Sequence, residues 1–315
     1  MFKFSIIGFG GHVRKNILPA IGRSKSFQID NIYVRDLDGY KDLCSQYNLN
    51  CSSLNEISIS NSDWFYISTP ISSHYELVKE CLLLGKNVIC EKPLTISKAD
   101  AIDLFSIADK KKVILYEVDM YKHHLLYENL KKITKENLEN IKSLSVKFSI
   151  PHLKEDDIRY DPNLGGGALR DVGYYPISLI TSLFNSPLKI SASIFSEKEY
   201  KVDLSGSAIL TYDNFYCTAE WGIGLPYYNR AIMVTEDSEI SFERIFSKPH
   251  DLETTVTTKR ANGVSHKNIS KDDQFLNMFS YVSKSSKENF IDNREISILV
   301  HDVMDKIKES SPFHT

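Results

Sequence analysis

Hydrophobic and polar positions follow different periods in the two halves of the chain. Through the first ~120 residues, short apolar runs alternate with stretches of helical spacing. Lys3–Ile7 reads as a buried strand, and helix-like sequence follows as far as Pro19–Ile21. Ile29–Val34, rich in β-branched residues, predicts the next strand, and Trp64–Ser68, Asn87–Cys90 and Val113–Tyr116 predict three more. Ser73–Leu84 reads as a helix with Gly85 as its C-cap. Ser97–Lys110 reads as another that opens on a capping pattern, Ser97 with Asp100. Strands alternating with helices predict βαβ units and a doubly wound parallel sheet.

The second half has a different rhythm. Ile141–Ile150 alternates at Val146, Phe148 and Ile150, as a half-buried strand does. A helix at Ala168–Phe184 precedes four strand-like runs with no helix between them: Lys189–Phe195, Ser207–Tyr212, Phe215–Trp221 and Arg230–Thr235. That order predicts an α+β domain with an open, mostly antiparallel sheet. Two helices close the chain, near Asp272–Val282 and Glu295–Ile307, the last with apolar residues at 296, 299, 300, 303, 304 and 307. The boundary falls near residue 120, giving domains 1–120 and 121–315, with the final helix able to pack back on the first.

Composition narrows the function classes. At roughly 150 residues per domain, 315 residues suit two domains. Hydrophobic residues are 42% and the net charge is −3, which excludes a disordered chain. Lys+Arg 38 against Asp+Glu 41, with no basic run, argues against nucleic acid. No apolar stretch reaches the ~18 residues of a membrane span, and Met1–Gly10 lacks the basic leader of a secretory signal. Five cysteines without a CxxC pair fit a reduced, cytoplasmic protein and argue against structural zinc. His123 and His124 are adjacent and so point apart, which leaves no metal expected there.

Of only 14 glycines, six fall in two clusters, at 8, 10 and 11 and at 165, 166 and 167. Gly8-Phe9-Gly10-Gly11-His12-Val13 follows a strand and opens a helix. There the first glycine allows the tight turn, and the second lets backbone approach a pyrophosphate seated on the helix N-terminus. This predicts a dinucleotide-binding Rossmann domain. The next strand ends Val34-Arg35-Asp36. With Arg35 at the ribose, a 2′-phosphate is gripped and NADP is preferred; with the register slipped, Asp36 takes the ribose and NAD is preferred.

Further strand ends carry Ser68-Thr69-Pro70, with His74 opening the next helix, and Glu91-Lys92-Pro93. The second cluster reads Gly165-Gly166-Gly167-Ala168-Leu169-Arg170-Asp171-Val172-Gly173-Tyr174-Tyr175. Together with Leu18-Pro19-Ala20, these stretches resemble the Gfo/Idh/MocA family, named for glucose–fructose oxidoreductase, inositol dehydrogenase and a rhizopine catabolism protein. The resemblance implies a Rossmann domain, a C-terminal domain with an open antiparallel sheet through which many members associate, and hydride transfer to or from sugars and polyols. Many members carry a histidine four residues after the aspartate; here that position is Tyr175. That looks like the glucose–fructose oxidoreductase, dihydrodiol dehydrogenase and ketosugar reductase branch, in which tyrosine moves the proton. Leu115-Tyr116-Glu117 and Met120-Tyr121-Lys122-His123-His124 follow the branch's "EAFMYRFHP" stretch, with Lys122 for its arginine and Leu125 for its proline.

Reducing a ketone needs a hydride and a proton for the developing alkoxide. Tyr175 is assigned the proton, Lys92 the ammonium that lowers a tyrosine pKa and steadies the alkoxide, and Asp171 the orientation of substrate or Lys92. Ser68, Thr69, Pro70, His74 and Glu91 are candidate cofactor contacts with the glycine turn. Glu117, Tyr121 and Arg159 are candidate substrate contacts. The expected activity is an NAD(P)-dependent oxidoreductase acting on a sugar, a nucleotide-linked sugar or a cyclic polyol. It is expected as a dimer or tetramer formed through the second sheet. A non-catalytic cofactor-binding regulator and an imine or dihydrodiol reductase are the competing readings.

Overall fold

The computed structural model describes residues 1–311. It divides into two compact units, Met1–Val118 with Phe275–Ser297, and Asp119–Gln274 with the chain from Ile298 onward.

In the first unit the strands are β1 (Phe2–Ile7), β2 (Phe27–Val34), β3 (Cys51–Ser53), β4 (Trp64–Ile67), β5 (Asn87–Cys90) and β6 (Leu115–Glu117). Helices α1 (Leu18–Arg23), α2 (Leu37–Gln46), α3 (His74–Leu83) and α4 (Lys98–Lys111) lie between them in sequence. The sheet runs β3-β2-β1-β4-β5-β6, and every pairing is parallel. Strand order reverses between β1 and β4, so the carboxyl ends of those strands border the crevice where such sheets take ligands. Continuous apolar runs explain the strands: Trp64, Phe65, Tyr66 and Ile67 are all buried, as strands covered on both faces must be. Ser97 caps α4 by accepting the Asp100 amide, and Gly85 follows α3 with φ +75.

The second unit begins with α5 (Leu125–Glu136) and β7 (Ile141–Ile150), then α6 (Tyr174–Phe184) after a wide π-type turn at Leu169–Gly173. Strands β8 (Lys189–Phe195), β9 (Ser205–Thr211), β10 (Tyr216–Ile223), β11 (Tyr228–Thr235), β12 (Ser238–Glu243), β13 (Thr254–Arg260) and β14 (Gly263–Ile269) follow. Their order is β14-β13-β12-β11-β7-β10-β9-β8, antiparallel throughout except for β7 with β10. The mostly antiparallel second sheet expected from the sequence is therefore present. Helix α6 packs on it where glycine allows close approach: a Cβ on Gly173 would sit 3.0 Å from the Trp221 ring, and one on Gly206 2.4 Å from it. The other face is open, with Ile209, Tyr216, Tyr228 and Val234 exposed.

Helices α7 (Gln274–Lys284) and α8 (Ile291–Ser310) end the described chain. Phe279 of α7 packs edge-on against Phe4 and Phe27 at 5.7 and 5.8 Å, which explains the membership of this late segment in the first unit. Helix α2, helix α5 and strands β3, β12, β13 and β14 lie outside the elements expected above. Among the described residues, no helix is long and apolar enough to cross a membrane, and all five cysteines are free thiols.

Candidate active site

The first unit gathers its candidate residues at the carboxyl ends of β1, β2, β4 and β5. Gly8 has φ +92, and a Cβ there would meet the Ser68 carbonyl oxygen at 2.6 Å. Only glycine lets the β1 turn lie this close to the end of β4. Cβ atoms on Gly10 and Gly11 would meet nothing within 4 Å, so this stretch of backbone faces open space. Phe9 and Val13, named with the turn, have core side chains at 2% and 0% exposure; Phe9 packs on Tyr47. Any cofactor contact from these two is therefore by backbone.

At the end of β2, Asp36 is the N-cap of α2, its Oδ1 accepting the Gly39 amide at 3.0 Å. One oxygen of the carboxylate is thereby engaged at the helix end. Arg35 beside it is exposed, and no carboxylate of the described residues pairs with it. Open glycine backbone at a helix start, with an exposed guanidinium at the second strand end, fits a dinucleotide carrying a 2′-phosphate.

Two expected contacts have other duties. His74 is 1% exposed; its Nδ1 lies 3.0 Å from the Pro93 carbonyl and its Nε2 2.9 Å from the Thr69 carbonyl. Burial pulls its pKa down, against those two carbonyls. The ring ties the Ser68–Pro70 turn to the Glu91–Pro93 turn, and no nitrogen remains for a cofactor. Glu117 is 0% exposed, and its Oε1 accepts the Leu94 amide at 2.6 Å. It holds the chain after Lys92.

Glu91 sits within a chain of polar contacts that the sequence did not announce. His12 Nε2 lies 2.8 Å from Glu91 Oε1, the Tyr66 hydroxyl donates to the same oxygen, and His12 Nδ1 meets the Asn16 amide at 3.1 Å. Burial pushes the Glu91 carboxyl up, but His12, the Tyr66 hydroxyl and Lys92 outweigh it and hold the group at about 2. Lys92 follows at the strand end, half-buried, with a cis peptide bond to Pro93.

The second unit carries Asp171, Tyr175 and Arg159. The glycine cluster is a backbone wrap around Arg159: the Gly167 amide donates to the Arg159 carbonyl at 2.9 Å, and a Cβ on Gly166 would meet that oxygen at 2.5 Å. From this wrap Arg159 Nε donates to Asp171 Oδ2 at 2.5 Å, and its Nη1 donates to Asp157 Oδ1 at 3.2 Å. Tyr175 follows on the first turn of α6. Its hydroxyl lies 3.8 Å from Met120 Sδ, and its ring meets Phe148 at 5.0 Å and Phe246 at 5.3 Å.

Tyr121, expected at the substrate, is 0% exposed with its hydroxyl 2.9 Å from Ser178 Oγ. Burial first, then Asp119, raises its pKa well above the ordinary value. It is a core residue behind Tyr175. Asp119 was missed: it is 2% exposed, takes Lys122 Nζ at 2.5 Å and the Ser178 hydroxyl at 3.1 Å. A charged residue between Val118 and Met120 was the available signal.

Comparison with known proteins decides the family. Residues 2–120 match the oxidoreductase family with an NAD-binding Rossmann fold, and residues 130–241 match the GFO/IDH/MocA C-terminal domain. The chain belongs to the GFO/IDH/MocA family. Among relatives, a dTDP-3,4-didehydro-2,6-dideoxy-alpha-D-glucose 3-reductase of Streptomyces violaceoruber is 29% identical over 216 residues, 67% of this chain and 63% of that protein. D-xylose 1-dehydrogenase (NADP(+)) 2 of Haloferax volcanii is 30% identical over 216 residues, 67% of this chain and 66% of that protein. The match thus spans somewhat less than two thirds of these relatives' length. The GFO/IDH/MocA fold is also that of KijD10, a 3-ketoreductase from Actinomadura kijaniata solved with NADP and TDP-benzene. The TM-score is 0.94 at 23% identity, over 99% of this chain and 98% of that one.

Proposed function

We propose that this family member is an NADP(H)-dependent oxidoreductase that exchanges hydride between nicotinamide and a carbonyl or alcohol of a sugar, nucleotide-linked sugar or cyclic polyol. The observation that carries the cofactor reading is the open backbone at Gly10 and Gly11 beside an exposed Arg35, with Asp36 capping α2. Gly8, Gly10, Gly11 and His12 would hold the diphosphate, Arg35 the 2′-phosphate, and the turns at Ser68–Pro70 and Glu91–Lys92 the nicotinamide end. When bound, the nicotinamide supplies or accepts the hydride.

The chain's own groups do the rest. Tyr175 gives its phenolic proton to the developing alkoxide and takes it back in the oxidative direction. An ammonium such as that of Lys92 favours a tyrosinate and an alkoxide electrostatically, which is the role assigned to it. Asp171, ionised against Arg159, accepts a hydrogen bond from a substrate hydroxyl and so fixes which carbon is presented. The sugar reading is supported by the reductase and dehydrogenase relatives. The open sheet face at Ile209, Tyr216, Tyr228 and Val234 suits a second copy of the chain, as in a dimer or tetramer.

The test is NADPH with panels of nucleotide-linked ketosugars, free ketosugars and cyclic polyols, followed by nicotinamide absorbance. Turnover of at least one class is expected, with Tyr175→Phe and Lys92→Ala each lowering kcat by about 10²–10⁴. Turnover intact in both variants refutes the assignment.

A further inference from the structure

Met120 touches the atom assigned the proton. The Tyr175 hydroxyl donates to Met120 Sδ at 3.8 Å, and both side chains are buried. Met120 opens the short helical turn Met120–His123, while Tyr175 lies on the first turn of α6. Ser178 joins the two elements, three residues beyond Tyr175 on the same face of α6. Its hydroxyl donates to Asp119 Oδ1 at 3.1 Å. With its one hydrogen given away, that hydroxyl accepts from the Tyr121 hydroxyl at 2.9 Å. The residues on either side of Met120 are therefore tied to one hydroxyl of the helix that carries Tyr175.

The whole tie is buried: Asp119, Tyr121 and Ser178 all lie inside the unit. The Tyr175 ring is walled by Phe148 at 5.0 Å, Phe246 at 5.3 Å and Tyr121 at 6.3 Å. Packing thus sets where its oxygen stands against the sulfur. The ionisable groups on the adjoining elements are Asp119, paired with Lys122, and the phenols of Tyr121 and Tyr174. Strand β7 and the segment after β12 bring phenyl rings, Phe148 and Phe246, against the tyrosine.

A thioether sulfur is a weak acceptor. It gives a buried phenol hydrogen a partner, yet yields it to an oxygen that carries developing charge, which accepts far more strongly. An amide or carboxylate oxygen in the same place would compete for the proton and favour the neutral phenol. We propose that Met120 is a positioning residue for proton transfer, its sulfur holding the Tyr175 hydroxyl hydrogen too weakly to oppose its release to the substrate oxygen. The proposal rests on the reading of Tyr175 as acid/base. The proton passes from the Tyr175 oxygen to the alkoxide oxygen and leaves a phenolate. In the oxidative direction the phenolate takes it back from the alcohol, and the sulfur takes no proton at either stage.

The test is a pair of substitutions of similar volume that change the acceptor in opposite senses. Met120→Leu removes it, and Met120→Gln installs a strong one. In the full chain with tyrosine labelled by carbon-13 at Cζ, the Tyr175 resonance is the one absent from Tyr175→Phe. Its titration midpoint is expected to fall in Met120→Leu and to rise in Met120→Gln, each by roughly half a pH unit. The limb of kcat/KM set by the phenol moves in the same two directions, with kcat about threefold to tenfold lower and KM within about twofold. Lost packing alone would lower stability without driving the two midpoints apart. A midpoint unchanged in both variants, or moved the same way in both, overturns the proposal. Should Met120→Gln fail to fold, the fall in Met120→Leu decides it. Full turnover by Tyr175→Phe overturns the acid/base reading instead, and the midpoints then report on the sulfur contact alone.

Discussion

Arg159 and Asp171 are joined by a hydrogen bond of 2.5 Å from Nε to Oδ2, across the glycine wrap that leads into α6. Asp171 raises the arginine's pKa more than burial lowers it, so the guanidinium stays charged. A carboxylate held in one direction by an arginine is a positioning device for a hydroxyl-bearing substrate. Arg159→Ala is expected to lower kcat/KM about tenfold, chiefly through KM, with partial rescue by Arg159→Lys. The pair is part-exposed, so the stability loss is only about 1 kcal/mol, read from thermal unfolding.

Cofactor choice rests on Arg35. Replacing it by Ala removes the cation that follows β2 and leaves Asp36 on its helix. The dissociation constant for NADPH is expected to rise about 10- to 100-fold while that for NADH changes little, measured by fluorescence titration. A weaker grip on both cofactors alike contradicts the role.

Glu91 makes stability depend on acid. Its folded carboxyl titrates at about 2 against an ordinary 4.5. The stabilisation it contributes is present above the ordinary value and is lost as pH falls through the folded one. The difference in unfolding free energy between the unaltered chain and Glu91→Gln should shrink between pH 4.5 and about 2. At neutral pH the variant should be less stable by about 1–3 kcal/mol in urea unfolding.

Lys248 adds a slope of the same sign in a more alkaline window. It is 8% exposed, donating to the carbonyls of Ile245 and Phe246 and to Gln274 Oε1. Burial lowers its pKa to about 7, opposed by Asp272. Below that value both folded and unfolded chains carry the proton and the burial penalty is complete. Above it the folded chain alone is neutral, so stability rises relative to Lys248→Met as pH climbs from about 7 toward 10.5. Parallel unfolding curves for the two proteins across that range would disprove it.

Much of this arrangement is legible in the residues. Strands β1, β4, β5 and β7 announce themselves because burial on one or both faces forces apolar runs or strict alternation. The Ser97 cap and Gly85 are local chemistry, readable without tertiary context. Strands β13 and β14 are not: Val264, Ser265, His266 and Lys267 are exposed, and pairing with the neighbouring strand, rather than a buried face, makes them extended. His74 and Glu117 show the same limit at the site. A polar residue at a strand end looks like a ligand contact, and only its distance to a carbonyl or amide far along the chain reveals a structural tie.

The parallel pairing of β7 with β10 has a consequence for how the chain is made. The middle strand of the sheet leaves the ribosome first, while its two neighbours, β10 and β11, begin only at Tyr216 and Tyr228. Until they arrive, Val146 and Phe148 sit on a ribbon with both hydrogen-bonding edges bare. Any chain truncated between α6 and β10 carries that ribbon permanently, an adhesive edge rather than the heart of a sheet.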